Sequence, residues 1–251
     1  MPLHPFSRTE MLIGGEGLKK LSASTVAIFG IGGVGAYTAE GLARAGVGKL
    51  VLVDDDDICL TNINRQLHAM TSTIGRPKVD VMKERILDIN PAAEVMAHRL
   101  LYNHASSDTL LLDSYSYVVD AIDMISSKLD LAERCAKRNI PIISCMGAGD
   151  KMDPTKFQVA DIFETSICPL AKVMRKELKK RGVTGLRVVY SQEVPMETLE
   201  IEADCRSDCV CSHRERTCTT RRHIPGSISF VPSVAGLIIA AEVVRDLIGK
   251  R

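Results

Sequence analysis

Apolar positions along this chain repeat with two periods, short strand-like runs followed by longer helix-like ones. Thr25–Phe29 is an apolar run rich in β-branched residues, and residues 34–45 after it place small and apolar side chains at helical spacing. Residues 50–53 predict a second strand, which runs into four aspartates at 54–57. Residues 77–90 predict a helix, because proline suits a first turn, where its missing N–H costs nothing, and Pro91 blocks continuation. Residues 94–99, Tyr117–Asp120 and 141–145 predict further strands, with 127–139 helical between the last two. A helix is also expected over residues 7–21. Alternation of this kind predicts an α/β fold, a Rossmann-like, mostly parallel sheet with helices on both faces.

The alternation weakens past Gly147. Residues 156–162 and 186–191 predict strands, 169–181 a basic helix that stops at Gly182, and 232–248 a terminal helix. Residues 193–225 are long, polar and cysteine-rich with little periodicity, and a loop of that length inside a compact domain is expected to be functional or mobile. The expected organisation is a nucleotide-binding core over residues 1–150. A mixed C-terminal extension of the same domain would cover 151–251, with the cysteine-rich loop and the terminal helix.

Composition narrows the setting. Apolar residues make up 45% and charged residues 25% of the 251, ordinary globular usage that argues against disorder. Lys plus Arg (32) nearly cancels Asp plus Glu (31), so no global field draws the chain to nucleic acid. Residues 151–251 nevertheless carry 17 basic against 13 acidic side chains, and a polyanionic partner is expected to dock there. The apolar stretch 230–244 is interrupted by Pro232, Ser233 and Glu242 and falls short of the roughly 20 apolar residues a membrane span needs. Eight cysteines behind an opening that lacks the pattern of an export signal predict reduced thiols or a metal site, and a cytoplasmic location.

Gly30-x-Gly32-x-x-Gly35 follows the first predicted strand and opens the first core helix. Glycines there allow a tight turn and close approach of phosphate oxygens, and the helix start offers free N–H groups with a partial positive charge. Gly33 lies within the same turn. Asp54, 19 residues past Gly35, ends the next strand, where a carboxylate can accept both ribose hydroxyls. To this point a nicotinamide-dependent oxidoreductase fits as well as any nucleotide-using enzyme.

The next motifs separate the two. Asn62-x-Asn64-Arg65-Gln66, Gly75-x-Pro77-Lys78 and Asp123 have no use in hydride transfer. Adenylyl transfer needs both a cation pair to neutralise phosphate charge and a carboxylate to hold Mg²⁺. Singly, Arg65 reads as a surface ion pair, Lys78 as a solvated first-turn residue and Asp123 as a helix cap. The ordered set favours adenylyl transfer.

The segments GIGGVG, LVLVDDDDICLTNINRQLHA, IGRPKVD and VVDAID together resemble the adenylation domain shared by ThiF, MoeB, HesA and the ubiquitin-activating enzymes, over about residues 7–147. The resemblance implies that Gly33 and its neighbours lie against ATP, that Asp54 holds the ribose, and that Asn62, Arg65 and Lys78 contact phosphates. It implies that Asp123 supports Mg²⁺, and that Arg8 reaches the site of the other subunit in a homodimer. Within that family, HPFSRTEMLIGGEGLKKLSASTVAIFGIGGVG, the stretch from ISCMGAGDKMDPTKF to MRKELKKRGV, and PGSISFVPSVAGLIIAAEVV resemble the tRNA threonylcarbamoyladenosine dehydratases. This narrower likeness covers nearly the whole chain except residues 193–225. It implies that ATP activates the carboxylate of the threonylcarbamoyl group on a tRNA adenosine, and that ring closure follows with loss of AMP. The net result is loss of water.

Sulfur-carrier activators of this family usually carry two C-x-x-C pairs for zinc, and no C-x-x-C occurs here. An adenylating enzyme for a small ubiquitin-like sulfur carrier therefore stands second. Cys59, Cys135, Cys145 and Cys168 are scattered singly and read as small buried apolar groups. Cys168, ahead of Pro169, reads either as an attacking thiol or as packing at a helix start. Cys205, Cys209, Cys211 and Cys218, with His213, are close enough to bind zinc or an iron–sulfur cluster, although the spacing matches no common zinc pattern. Redox or sulfur handling is a second reading, with a cysteine desulfurase or similar sulfur-transfer system as a candidate partner, and a mobile loop with neither role is a third. Arg206, Arg214, Arg216, Arg221 and Arg222, with Lys172, Arg175, Lys176, Lys179, Lys180 and Arg181, supply positive charge for a tRNA.

Overall fold

The computed structural model describes residues 3–199 and 225–250. The elements run α1 (Ser7–Ala23), β1 (Thr25–Phe29), α2 (Gly35–Ala45), β2 (Lys49–Val53), α3 (Lys78–Ile89), β3 (Glu94–His98), α4 (Ser107–Leu110), β4 (Tyr117–Asp120), α5 (Ile125–Arg138), β5 (Ile142–Cys145), β6 (Phe157–Asp161), α6 (Pro169–Lys180), β7 (Arg187–Ser191) and α7 (Phe230–Ile248). The seven strands form one sheet in the order β3-β2-β1-β4-β5-β7-β6. Every pair is parallel except β6 with β7, which is antiparallel at the edge.

The central strands are buried on both faces, which is why they read as unbroken apolar runs. One face is covered by α2, α3 and α7 and the other by α5, α6 and the segment around Tyr102–Tyr115. Small residues let α2 and α7 approach closely. A Cβ on Gly236 would lie 2.4 Å from the Val34 carbonyl, and one on Gly41 would lie 2.8 Å from the Ala240 Cβ. The Thr38 hydroxyl donates to the Gly236 carbonyl across this contact (3.0 Å).

The departures from expectation have local causes. α1 is broken at Gly14, which takes φ 72° and ψ 168°, values that a residue without Cβ adopts at little cost. Pro77 caps α3 from outside, at ψ 132°, so Lys78 is the first helical residue. α5 starts two residues earlier than predicted, and α7 starts at Phe230 with Pro232 inside its first turn. α4 is a single turn, too short to show a period. No helix among the described residues is long and apolar enough to cross a membrane.

Candidate nucleotide site at the carboxyl edge of the sheet

β1 ends in a turn that only glycine can make. Gly30 takes φ 89°, its N–H donates to the Val53 carbonyl (2.8 Å), and a Cβ on it would meet the Ala121 carbonyl oxygen at 2.6 Å. A Cβ on Gly35 would fall 1.8 Å from the Gly30 carbonyl oxygen, so the helix start is pressed onto the strand end. Gly32 faces Gln66, with 4.0 Å between its position for a Cβ and the Gln66 amide nitrogen. Gly33 lies under Pro232 of α7 and the Arg65 carbonyl.

Asp54 ends β2 beside this turn. One carboxylate oxygen accepts the Ile31 N–H (2.6 Å) and the other the Asp56 N–H (2.9 Å). Burial pushes its pKa up, Lys78 works against that, and Asp56 adds to the rise. Lys78 is buried at the start of α3, with its Nζ 2.7 Å from Asp56 Oδ2 and 3.9 Å from Asp54 Oδ1. Burial acts to lower the lysine, but Asp54, Asp56 and Asp123 outweigh it and raise it above its ordinary value. The solvated first-turn role is thus excluded. Asp123 is exposed three residues past β4, and the residue capping α5 is Met124, so Asp123 does not serve as the cap.

The loop between β2 and α3 carries the remaining polar groups. Asn62 is buried and accepts the Cys59 N–H (3.0 Å). Arg65 is half-buried and donates to the Thr61 carbonyl (2.7 Å) and to Asn64 Oδ1 (2.9 Å). Asn64 in turn donates to the Ser227 carbonyl (2.8 Å), which ties the loop to the segment ahead of α7. Gly30, Gly32, Gly33, Gly35, Asp54, Asn62, Arg65, Lys78 and Asp123 therefore gather at one edge of the sheet.

Arg8 does not join them within its own chain. It is exposed in the first turn of α1, and Phe6 just before it packs on Gly46 at the far end of α2. The 11 residues of α2 separate that end from the glycine turn by about 16 Å. Cys205, Cys209, Cys211, Cys218 and His213 lie outside the described residues. Cys135, Cys145 and Cys168 are buried and Cys59 is half-buried. Burial pushes the Cys135 and Cys145 thiols up to about 12, which keeps them protonated. Cys168 stands at the start of α6, 1% exposed, as helix-start packing requires. On α6, Lys172, Lys176, Lys179 and Lys180 are exposed, as is Arg181 just past its end.

Three features escape the sequence motifs. Asp56 is the direct partner of Lys78. His68 is buried with both ring nitrogens lacking a hydrogen bond among the described residues, and burial, aided by Lys78, lowers it to about 3. Finally, Asp120 and Lys128 form a fully buried ion pair (2.9 Å) under the Asp123 loop. Ser144 Oγ donates to Asp120 (2.5 Å), the Ile122 N–H donates to its other oxygen (3.1 Å), and Lys128 also donates to the Cys145 carbonyl (2.8 Å). The signal for it lies in α5, where Lys128 shares a helical stripe with buried Leu131, Ala132 and Cys135.

The ThiF family model matches residues 6–251. The tRNA threonylcarbamoyladenosine dehydratase of Bacillus subtilis is 49% identical over 247 residues, covering 98% of this chain and 95% of that one. The solved Escherichia coli tRNA N6-threonylcarbamoyladenosine dehydratase in complex with ATP superposes with a TM-score of 0.84 at 31% identity, over 98% of this chain and 94% of that one. The Escherichia coli sulfur carrier protein ThiS adenylyltransferase is 36% identical over 135 residues, 53% of each chain.

Proposed function

The chain belongs to the ThiF family, and on that premise we propose that it is an ATP-dependent enzyme that adenylates the carboxylate of threonylcarbamoyladenosine in tRNA and closes it into a ring with loss of water. The observation that carries the ATP half of this reading is the buried Lys78. It stands beside the glycine turn and is kept charged by Asp54, Asp56 and Asp123. A fixed cation of this kind suits a triphosphate whose charge grows during transfer. The tRNA half rests on the dehydratase relatives, of which the Bacillus subtilis one matches almost end to end, whereas the sulfur-carrier activator aligns with about half the chain.

In this reading the triphosphate lies over the 30–35 turn, Asp54 receives the ribose, and Asn62, Arg65 and Lys78 face the phosphates. The oxygen donors here suit Mg²⁺: Asp123 is exposed at the sheet edge and coupled to Lys78, and the Asp54, Asp55 and Asp56 carboxylates offer oxygens within 4.8 Å of one another. When bound, Mg²⁺ would neutralise phosphate charge. A carboxylate oxygen of the substrate attacks the α-phosphorus and pyrophosphate leaves. Attack on the activated carbonyl within the same group then closes the ring and expels AMP, so one carboxylate oxygen departs on AMP. The exposed basic residues of α6 form a surface for the tRNA, and a homodimer brings Arg8 to the partner's phosphates. The site lies in the cytoplasm in this account.

Calorimetry tests the nucleotide assignment, with ATP binding in the presence of Mg²⁺ and NAD not binding. Asp123→Ala is expected to lose tRNA-dependent pyrophosphate release by about 100-fold or more while unfolding like the parent protein, because the residue is exposed and α5 is capped by Met124. Normal pyrophosphate release from that variant would take Asp123 out of the site.

A further inference from the structure

Lys151 follows β5 on the loop next to the one that carries Asp123. It is 4% exposed, yet its ammonium has a single hydrogen bond among the described residues, 3.3 Å to the Gly149 carbonyl. The acids around it face other donors. Glu193 accepts the Met152 and Asp153 N–H groups (2.9 Å each), Asp153 accepts the Thr155 N–H (2.9 Å), and Asp150 accepts the Gly226 N–H (2.6 Å). A buried ammonium without a counter-charge is unfavourable and persists where a ligand supplies the missing anion.

The loop is also tied to the phosphate side of the site. Asp150 N–H donates to the Gly226 carbonyl (2.8 Å), and a Cβ on Gly149 would lie 2.7 Å from Pro225. One residue further, the Ser227 carbonyl accepts Asn64 of the loop that bears Arg65. The 225–227 strap thus joins the Lys151 loop to the Arg65 loop above the same sheet edge. Adenylation brings two anions together, the acceptor carboxylate and the α-phosphate. Lys78 and Arg65 serve the phosphate, which leaves the acceptor in need of a cation of its own.

We propose that Lys151 receives the acceptor carboxylate, the threonylcarbamoyl carboxylate in the reading above, and so selects modified over unmodified tRNA. The inference rests on that reading. Its test is the affinity of the whole protein, with a non-hydrolysable ATP analogue, for a tRNA carrying threonylcarbamoyladenosine and for the same tRNA without the group. Lys151→Met is expected to cut the preference for modified tRNA by about 10- to 100-fold, the effect of losing a hydrogen bond between charged groups. Affinity for ATP and for unmodified tRNA should hold, and the melting temperature should not fall, since the buried charge removed has no counter-charge among the described residues. Lys151→Arg should keep part of the preference. A Lys151→Met protein with full preference and turnover overturns the assignment. So does one that loses ATP binding and melting temperature together, because the lysine is then structural. A parent protein that shows no preference overturns the proposed function itself, and the assignment with it.

Discussion

Lys78 and His68 are close enough to feel each other's charge, and burial drives them toward opposite outcomes. Three aspartates keep the lysine charged, whereas His68 has no hydrogen-bond partner among the described residues, and burial beside Lys78 keeps it neutral. The unfolded chain therefore binds a proton at His68 below its ordinary value of 6.5, and the folded chain does so only near about 3. Stability rises with pH across that window and is lost as pH falls through it, by up to about 1.4 kcal/mol per pH unit. Urea unfolding at pH 6.5 and pH 4.5 is expected to show about 2 to 3 kcal/mol of acid destabilisation that His68→Phe removes. An identical acid slope in that variant would mean that His68 is not held neutral. The meeting of Gly30, Asp54, Lys78 and Asp123 at one sheet edge was legible, because the turns that follow parallel strands gather at their carboxyl ends. The Asp56 partner and the isolation of His68 were not legible, since each depends on which loop folds over which.

Elements were legible wherever a period ran long enough. β1, β2, β4 and the helices around them fall within two residues of expectation, while α4 was invisible and the direction of β6 was open. Parallel against antiparallel pairing is decided by where the chain returns, and no run of apolar residues encodes that. The Asp120–Lys128 pair belongs to this scale, because it joins α5 to the ends of β4 and β5 under the Asp123 loop. Removing one member of a fully buried pair strands the other, so Lys128→Met is expected to cost about 3 to 5 kcal/mol in urea unfolding. Adding Asp120→Asn should recover part of the loss, as the neutral amide still accepts the Ile122 N–H. If the double variant is less stable than Lys128→Met, the charge on Asp120 is compensated by some group other than Lys128.

The whole molecule raises the question of why Arg8 stands where it does. Within one chain Phe6, two residues before it, packs at the far end of α2, a helix length of about 16 Å from the glycine turn, so a role in adenylation calls for a second copy. Arginines that stabilise charge in phosphoryl transfer contribute about 10³ to 10⁵ in rate, and Arg8→Ala and Lys78→Ala should each be nearly inactive. Mixing the two should restore about a quarter of the parent activity, since half the two-fold dimers are mixed and each then holds one complete site. Activity that stays at the single-variant level after verified subunit exchange would confine Arg8 to its own chain or remove it from the reaction. Beneath these details lies one chemical claim, that ATP activates a tRNA-borne carboxylate as its adenylate. The most direct measurement supplies the protein with ATP and tRNA whose threonylcarbamoyl carboxylate carries heavy oxygen, then weighs both products. The account predicts a nucleoside lighter by one water that contains the heavy oxygen, and AMP carrying one heavy oxygen. Unlabelled AMP, or ADP in its place, beside the same lighter nucleoside would contradict it.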